Sequence, residues 1–444
     1  MRLALNFVPF SFPFFKKLNP NSNIFKIIKA FTCAFFISNS IYLSFLENIF
    51  FELFSVFFAI YGFILLLRSD KFGYFWTGFF IGLLWFWWLS LSSIYFGLTY
   101  LVPFEILGVG LVYGILFRIC YAFKYDFLRL TGIFLLSYLH ILGFDWLNWG
   151  ILTSFGVFES SLKGVVCIFL IAYFYHERYI SRYYKIAIIL GLFYLGIQLK
   201  DTPYESLNVD YKLIHTDISQ SQKYFYENMQ KNSDDLIAEI QKAIEEKKEL
   251  VILPESAFAF NLERDFDGRY YAILQELSYQ ISIVVGAFSE QDDKVFNSTY
   301  VFEKGRDKIL NKYYLVPFGE EIPFFKDTFR KYLMPNMAEF SRGERLNTYT
   351  IHDQNITNAI CYEASKEELY KQSKIIVAIS NNAWFDGFVE PSLQKLLMRY
   401  YANKYAVSIY HATNGEQTAI ITPKQSIVKK YTLEAKDKIL ALLS

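Results

Sequence analysis

Charge is scarce in this sequence. Asp, Glu, Lys and Arg make up 20% of its 444 residues, against about 25% in ordinary globular proteins. That composition excludes a disordered, collagen-like or coiled-coil chain. A dense basic face is also missing, so a nucleic-acid partner is not expected. Histidine occurs 5 times and cysteine 4 times. His215, His352 and His411 stand at no spacing that makes a ligand set with another Cys or His, and neither metal nor cofactor is expected.

Apolar and aromatic residues are abundant instead, at 53% and 20%, with 47 Phe and 34 Tyr. They are unevenly spread. Residues 1–200 carry 15 Lys+Arg against 8 Asp+Glu, and residues 201–444 carry 29 against 35. The first half has long apolar runs and the second the mixture of a water-soluble domain, which divides the chain into 1–200 and 201–444.

A helix needs about 20 mostly apolar residues to cross a bilayer. About seven candidate spans fall at 24–46, 49–67, 72–94, 101–122, 127–144, 161–176 and 184–199. Residues 7–15 are apolar but broken by Pro9 and Pro13, and read as an interfacial segment. Repeated spans do not fit a cleaved signal peptide. Lys16, Lys17, Lys26, Lys29, Arg68, Lys71, Arg118, Lys124, Arg129, Arg178, Arg182 and Lys185 fall in alternate loops, while those near 47–48, 95–100 and 145–160 hold no Lys or Arg. Cytoplasmic loops retain basic residues, so the N-terminus is expected inside and residues 201–444 outside. Trp85, Trp87, Trp88, Trp146 and Trp149 gather at the outward ends, where an interfacial aromatic belt is expected. Gly78/Gly82 and Gly110/Gly114 have the spacing of close helix packing, expected within the chain rather than between copies. Ionisable residues at mid-span, the mark of a transport path, are not convincing here.

Beyond residue 200 the period changes. Short apolar, β-branched runs at 211–218, 250–253, 281–288, 298–302, 308–314, 356–361, 375–379, 407–411 and 417–421 read as strands. Helical stretches at 228–247, 270–279, 366–372 and 393–405 alternate with several of them, which predicts an α/β domain. Segment 320–345 has no clear period and reads as a long, functional loop, with 324–340 its candidate lid. Three strand ends carry reactive side chains: Glu255, Lys312 and Cys361. Strand ends in α/β sheets face the crevice where ligands bind. Cys361 is the only cysteine after residue 200, because Cys33, Cys120 and Cys167 lie in the spans. A disulfide partner is therefore lacking, and a nucleophile or an inert buried thiol both remain open.

The ordered set Leu253-Pro254-Glu255-Ser256, Asn311-Lys312-Tyr313-Tyr314-Leu315-Val316-Pro317-Phe318-Gly319-Glu320 and Ile360-Cys361-Tyr362-Glu363 resembles the Glu–Lys–Cys pattern of the nitrilase superfamily. Together with the multispan first half, Ser380-Asn381-Asn382-Ala383-Trp384-Phe385 and Ala412-Thr413-Asn414, it resembles the apolipoprotein N-acyltransferase family over nearly the whole chain. The resemblance implies a polytopic helical membrane domain followed by an α-β-β-α sandwich. It implies Cys361 as nucleophile, Glu255 as general base and Lys312 as oxyanion stabiliser, with Glu320, Tyr362, Glu363, Trp384 and Tyr224 in support. It further implies a bacterial inner-membrane monomer with its catalytic domain in the periplasm. That enzyme would move an acyl chain from a phospholipid, phosphatidylethanolamine by expectation, through a cysteine thioester to the N-terminal amine of S-diacylglyceryl-cysteine in apolipoproteins. A membrane-tethered amidase with water as acceptor is the alternative. The sequence departs from the family at His411, which replaces an Arg, in the poor match of helix 393–405, and in segment 433–444, too short and charged for the family's C-terminal span.

Overall fold

The computed structural model of the chain describes residues 22–46, 48–140, 143–317, 319–322, 339–385, 389–416, 418–426 and 429. The expected interfacial segment 7–15, Phe318, most of the candidate lid and segment 433–444 lie outside the described residues.

The first half is helical: α1 (Asn23–Ile37), α2 (Asn39–Leu43), α3 (Ile49–Leu67), α4 (Lys71–Phe86), α5 (Val102–Tyr121), α6 (Asp126–Leu135), α7 (Leu162–His176) and α8 (Arg182–Gly196). Polar residues start the apolar runs. Ser22, Asn48 and Asp70 accept backbone N–H groups from the first turns of α1, α3 and α4, satisfying donors that a helix leaves unpaired. Ile49–Leu67, Lys71–Tyr95 and Thr99–Cys120 are long and apolar enough to cross a bilayer, and a segment bent by 57° between Ile37 and Asn39 makes a fourth if taken as one span. The stretches 127–144, 161–176 and 184–199 overlap α6, α7 and α8, of 10, 15 and 15 residues. Apolar composition continues past the ends of α6 and α8 but not of α7. All three are shorter than the roughly 20 residues of a full crossing, so by length three or four spans, not seven, are found among the described residues.

The glycine pairs pack within the chain, as expected. A Cβ on Gly78 would lie 2.4 Å from the Tyr113 carbonyl oxygen, and one on Gly82 2.8 Å from that of Val109. Helices α4 and α5 meet there, backbone against side chain. The expected tryptophan belt, in contrast, is covered by protein at four of its five positions, Trp87 being half-buried. Trp85, Trp88, Trp146 and Trp149 are buried. Their indole N–H groups donate to Ser38, the Trp85 carbonyl, Ser365 and the Ile133 carbonyl respectively. Each ring supplies a large apolar area and needs one polar partner, which protein here provides.

The second half holds eleven strands: β1 (Tyr211–Leu213), β2 (Leu250–Ile252), β3 (Phe258–Asn261), β4 (Ser282–Gln291), β5 (Lys294–Glu303), β6 (Arg306–Asn311), β7 (Thr348–Ile351), β8 (Gln354–Ile360), β9 (Ile375–Asn381), β10 (Ser408–Asn414) and β11 (Ala419–Ile421). One sheet runs β1-β2-β4-β5-β6 with β3 on β4, and the other β11-β10-β9-β8-β7. Ile252, Val284 and Leu310 of the first sheet pack against Ile360, Val377 and Ile379 of the second. Burying such a side chain contributes about 1.5–3 kcal/mol. On the outer face of the first sheet lie α9 (Tyr226–Glu245) and α10 (Arg269–Leu277), through Leu236, Ile240 and Leu274. On the outer face of the second lies α11 (Val389–Tyr405), whose Leu393, Leu396 and Leu397 share a core with the membrane helices. The layers are α-β-β-α, and the last also faces the helical half.

That seam is polar as well as apolar. Lys366 pairs with Asp145 at 2.9 Å, both side chains being largely buried. Asn403 donates to the Ser160 carbonyl and Lys424 to those of Thr153 and Phe158. At the opposite end of the helices, Lys26 pairs with Asp70 at 2.6 Å, and Asp126 meets Arg129 and His176.

Candidate active site

The three strand-end residues sit where the two sheets terminate together. Glu255 follows β2 and is 5% exposed; Lys312 follows β6 and is 1% exposed. Glycine 286 on β4 makes room for the first: a Cβ there would stand 2.6 Å from the Glu255 Cα. Cys361 ends β8 with φ +53°. That left-handed conformation costs a side-chain-bearing residue roughly 1–2 kcal/mol, and such strain collects at functional sites. It turns the chain sharply from strand into the 3-10 turn Cys361–Ser365.

The carboxylates and the ammonium are in contact. Lys312 Nζ lies 2.8 Å from Glu320 and 3.4 Å from Glu255 Oε1. Asn297 donates to Glu255 Oε1 at 2.7 Å and to Glu320 Oε1 at 2.9 Å, bridging the two. The Asn381 N–H donates to Glu255 Oε2 at 2.8 Å. Lys223, also buried, donates to the Glu255 carbonyl at 3.3 Å. The sequence reading missed Asn297 and Lys223. Its available signal for Asn297 was a polar run, Asn297-Ser298-Thr299, inside an otherwise apolar strand; Lys223 sits in a loop and left none.

Glu363 has a supporting place. Its Oε1 accepts from the N–H groups of Tyr313 and Tyr314 at 2.7 and 3.1 Å, and its Oε2 from Ile360 N–H at 2.8 Å. One carboxylate thus pins the loop after Lys312 to the strand before Cys361. Burial pushes its pKa up to about 7 against the pull of these donors. Tyr362 and Trp384 contact the helical half instead: the Tyr362 hydroxyl reaches Asp145 at 3.3 Å, and the Trp384 ring meets Tyr95 edge-on at 4.8 Å. Tyr224 is 45% exposed and stacks with Phe288, which also touches Phe340. Phe258 and Phe260 belong to the core beneath α9 and α10.

Electrostatics divide the roles. Burial would lower the Lys312 pKa, but Glu320 and then Glu255 overcome it and raise the value, so the ammonium stays charged. Burial and the Glu255 charge push the Cys361 thiol well up, Lys312 opposing them. A thiol so placed rests protonated and needs a base to become a nucleophile. Its neighbours are a carboxylate and a fixed cation. The arrangement can therefore support thiol attack on a carbonyl, with proton transfer and oxyanion stabilisation.

An α-β-β-α sandwich with a carboxylate, an ammonium and a thiol at its strand ends defines the carbon–nitrogen hydrolase class, and residues 218–444 match the family profile "Carbon-nitrogen hydrolase". Residues 24–197 match the profile "Apolipoprotein N-acyltransferase integral membrane domain". The chain is 57% identical over 432 residues to the apolipoprotein N-acyltransferase of Campylobacter jejuni, covering 97% of each. It is 36% identical to that of Helicobacter hepaticus, over 80% of this chain and 90% of the relative. It is 33% identical to that of Wolinella succinogenes, over 78% and 84%. The chain belongs to the apolipoprotein N-acyltransferase family.

Proposed function

We propose that the protein transfers a fatty acyl chain from a phospholipid to the N-terminal amine of S-diacylglyceryl-cysteine in apolipoproteins, by a ping-pong route through a thioester on Cys361. The observation that carries this reading is the buried contact of Lys312 with Glu255 and Glu320 beside the strained Cys361 turn, in a chain whose relatives bear the enzyme's name. Glu255 takes the thiol proton as sulfur attacks the donor's ester carbonyl, and returns it to the departing lysophospholipid oxygen. Lys312, held charged, stabilises the tetrahedral oxyanion. The thioester then meets the acceptor amine; the C–N bond forms, the C–S bond breaks, and the thiol is restored. Glu320 and Asn297 hold Lys312 and Glu255 in register, and Glu363 fixes the two loops; Tyr362, Trp384 and Tyr224 border the substrate path. Phosphatidylethanolamine is the proposed donor, and the working enzyme a monomer.

The proposed setting is the inner membrane, with a boundary near residue 200 and the catalytic domain on the periplasmic side. Two findings support it. The basic loops meet at one end of the helices, through the Lys26–Asp70 and Asp126–Arg129–His176 contacts. The α/β half meets the other end, through Asp145, Thr153 and Ser160. Seven crossings are kept in this reading, because α6, α7 and α8, though short, connect those same ends in turn.

The test is purified protein with acyl-labelled phospholipid, followed by a diacylglyceryl-cysteine peptide. Hydroxylamine-sensitive label on Cys361 that chases into the peptide's amide is the expected result. Cys361→Ala abolishes labelling and Cys361→Ser leaves at most slow acylation. Release of free fatty acid without transfer would make the protein a hydrolase, and full labelling of Cys361→Ala would reject the nucleophile.

A further inference from the structure

The first two turns of α11 place two further polar side chains against the proposed nucleophile. Gln394 Nε2 donates to the Cys361 carbonyl at 3.3 Å, fixing that face of the helix beside Cys361. Glu390, one turn earlier, raises the Cys361 thiol pKa and is itself raised by the Glu255 charge. Glu390 is 4% exposed and Gln394 1%. Yet Glu390 Oε2 and Gln394 Oε1 are buried without a hydrogen-bond partner among the described residues. Buried acceptors are normally satisfied, and leaving one open is costly. Two of them, a helical turn apart at a reactive sulfur, call for a ligand rich in donors.

Charge narrows the choice. The buried cations near Glu255 are engaged: Lys312 with Glu320 and Glu255, and Lys223 with the Glu255 carbonyl. Glu390 thus adds a carboxyl group, its Oε2 open among the described residues, to a site already holding Glu255 and Glu320. Burial, and then the Glu255 charge, push its pKa up to about 8. An empty site can hold it protonated at neutral pH, avoiding the large cost of a bare buried carboxylate. An arriving cation reverses that preference. A primary ammonium has three donors and no acceptor, which matches two open oxygens and a carboxyl group ready to ionise.

We propose that Glu390, with Gln394, is the binding site for the primary ammonium group of a substrate at Cys361. This rests on the acyltransferase reading, which supplies two such groups: the acceptor's α-amine and the ethanolamine headgroup of the donor.

The experiment compares Glu390→Gln with the unaltered full-length protein in two ratios. The first takes preformed Cys361 thioester and compares its aminolysis by a diacylglyceryl-cysteine peptide with that by hydroxylamine, which is uncharged at neutral pH. The second compares acylation by phosphatidylethanolamine with acylation by phosphatidylglycerol in mixed micelles. A fall of tenfold or more in the first ratio assigns the site to the acceptor's amine; a like fall in the second assigns it to the donor's headgroup. Both ratios within twofold of the unaltered protein would overturn the proposal, including the case where all rates drop together. Ratios on acylated protein stay readable even if part of the variant misfolds. If the unaltered protein forms no thioester at all, it is the acyltransferase reading that fails.

Discussion

Lys312 lies nearer to Glu320, at 2.8 Å, than to Glu255, at 3.4 Å, and both contacts are buried. A second carboxylate thereby draws the cation away from Glu255, the base of the proposed mechanism. Glu320→Gln keeps the shape and removes that charge, letting Lys312 pair fully with Glu255 and weaken it as a base. Single-turnover acylation is expected to slow by about 10²–10³-fold, the scale of losing one oxyanion-site contribution. Unchanged circular dichroism would accompany it, and a rate within threefold of the parent would remove Glu320 from this role.

Asn297 offers a test by pH. Its amide bridges Glu255 and Glu320. Asn297→Asp replaces a shared donor by a third negative charge, and a like charge disfavours ionisation of its neighbours. The acid limb of the kcat/KM profile for acylation is therefore expected to move to higher pH. Asn297→Leu, which adds no charge, should lower the rate by about tenfold or more with a smaller displacement of that limb.

His411 makes a prediction about acid stability. It is buried, with Nε2 at 2.8 Å from the Ser380 hydroxyl and Nδ1 unpartnered among the described residues. Burial first, and Lys395 second, lower its pKa to about 3. The unfolded chain binds a proton near pH 6.5 that the folded chain refuses, so stability is lost as pH falls from about 6.5 toward 3. The slope from this group is at most about 1.4 kcal/mol per pH unit. His411→Gln should flatten the fall in Tm measured in detergent between pH 6.5 and 4.5. An identical slope would show that the ring protonates in the folded state.

The helical half can be probed at two glycines. Gly82→Leu drives a side chain into the Val109 carbonyl and Gly110, and is expected to lower the Tm by several degrees, in keeping with about 1–3 kcal/mol for overpacking. Gly108→Ala meets nothing within 4 Å and should leave the Tm equal or slightly higher. Equal effects of the two would contradict the packing of α4 on α5.

What could be read from the sequence followed how local each feature is. Glu255, Lys312 and Cys361 are strand-end residues set in short contiguous motifs, and the structure gathers Glu255 and Lys312 in contact with Cys361 in electrostatic reach. Asn297 escaped notice because its function depends on a strand's alignment, Ser298 opposite Asn311, that brings it beside the residue after β6. Strands β3 and β7 were also missed, being four residues each and flanked by turns. The tryptophans misled for a related reason: amphipathic rings at span ends suit a lipid interface equally well, and only contacts such as Trp146 with Ser365 reveal a protein partner.

The Tyr362 hydroxyl and the Lys366 ammonium both reach Asp145, so the polypeptide flanking the reactive sulfur is moored to the membrane-embedded part. Under the proposed mechanism, catalytic competence then belongs to the undivided molecule. A fragment cut at the joint and freed from detergent would leave Asp145 behind, strip an interior cation of its counter-ion, and slacken the bend that presents the thiol.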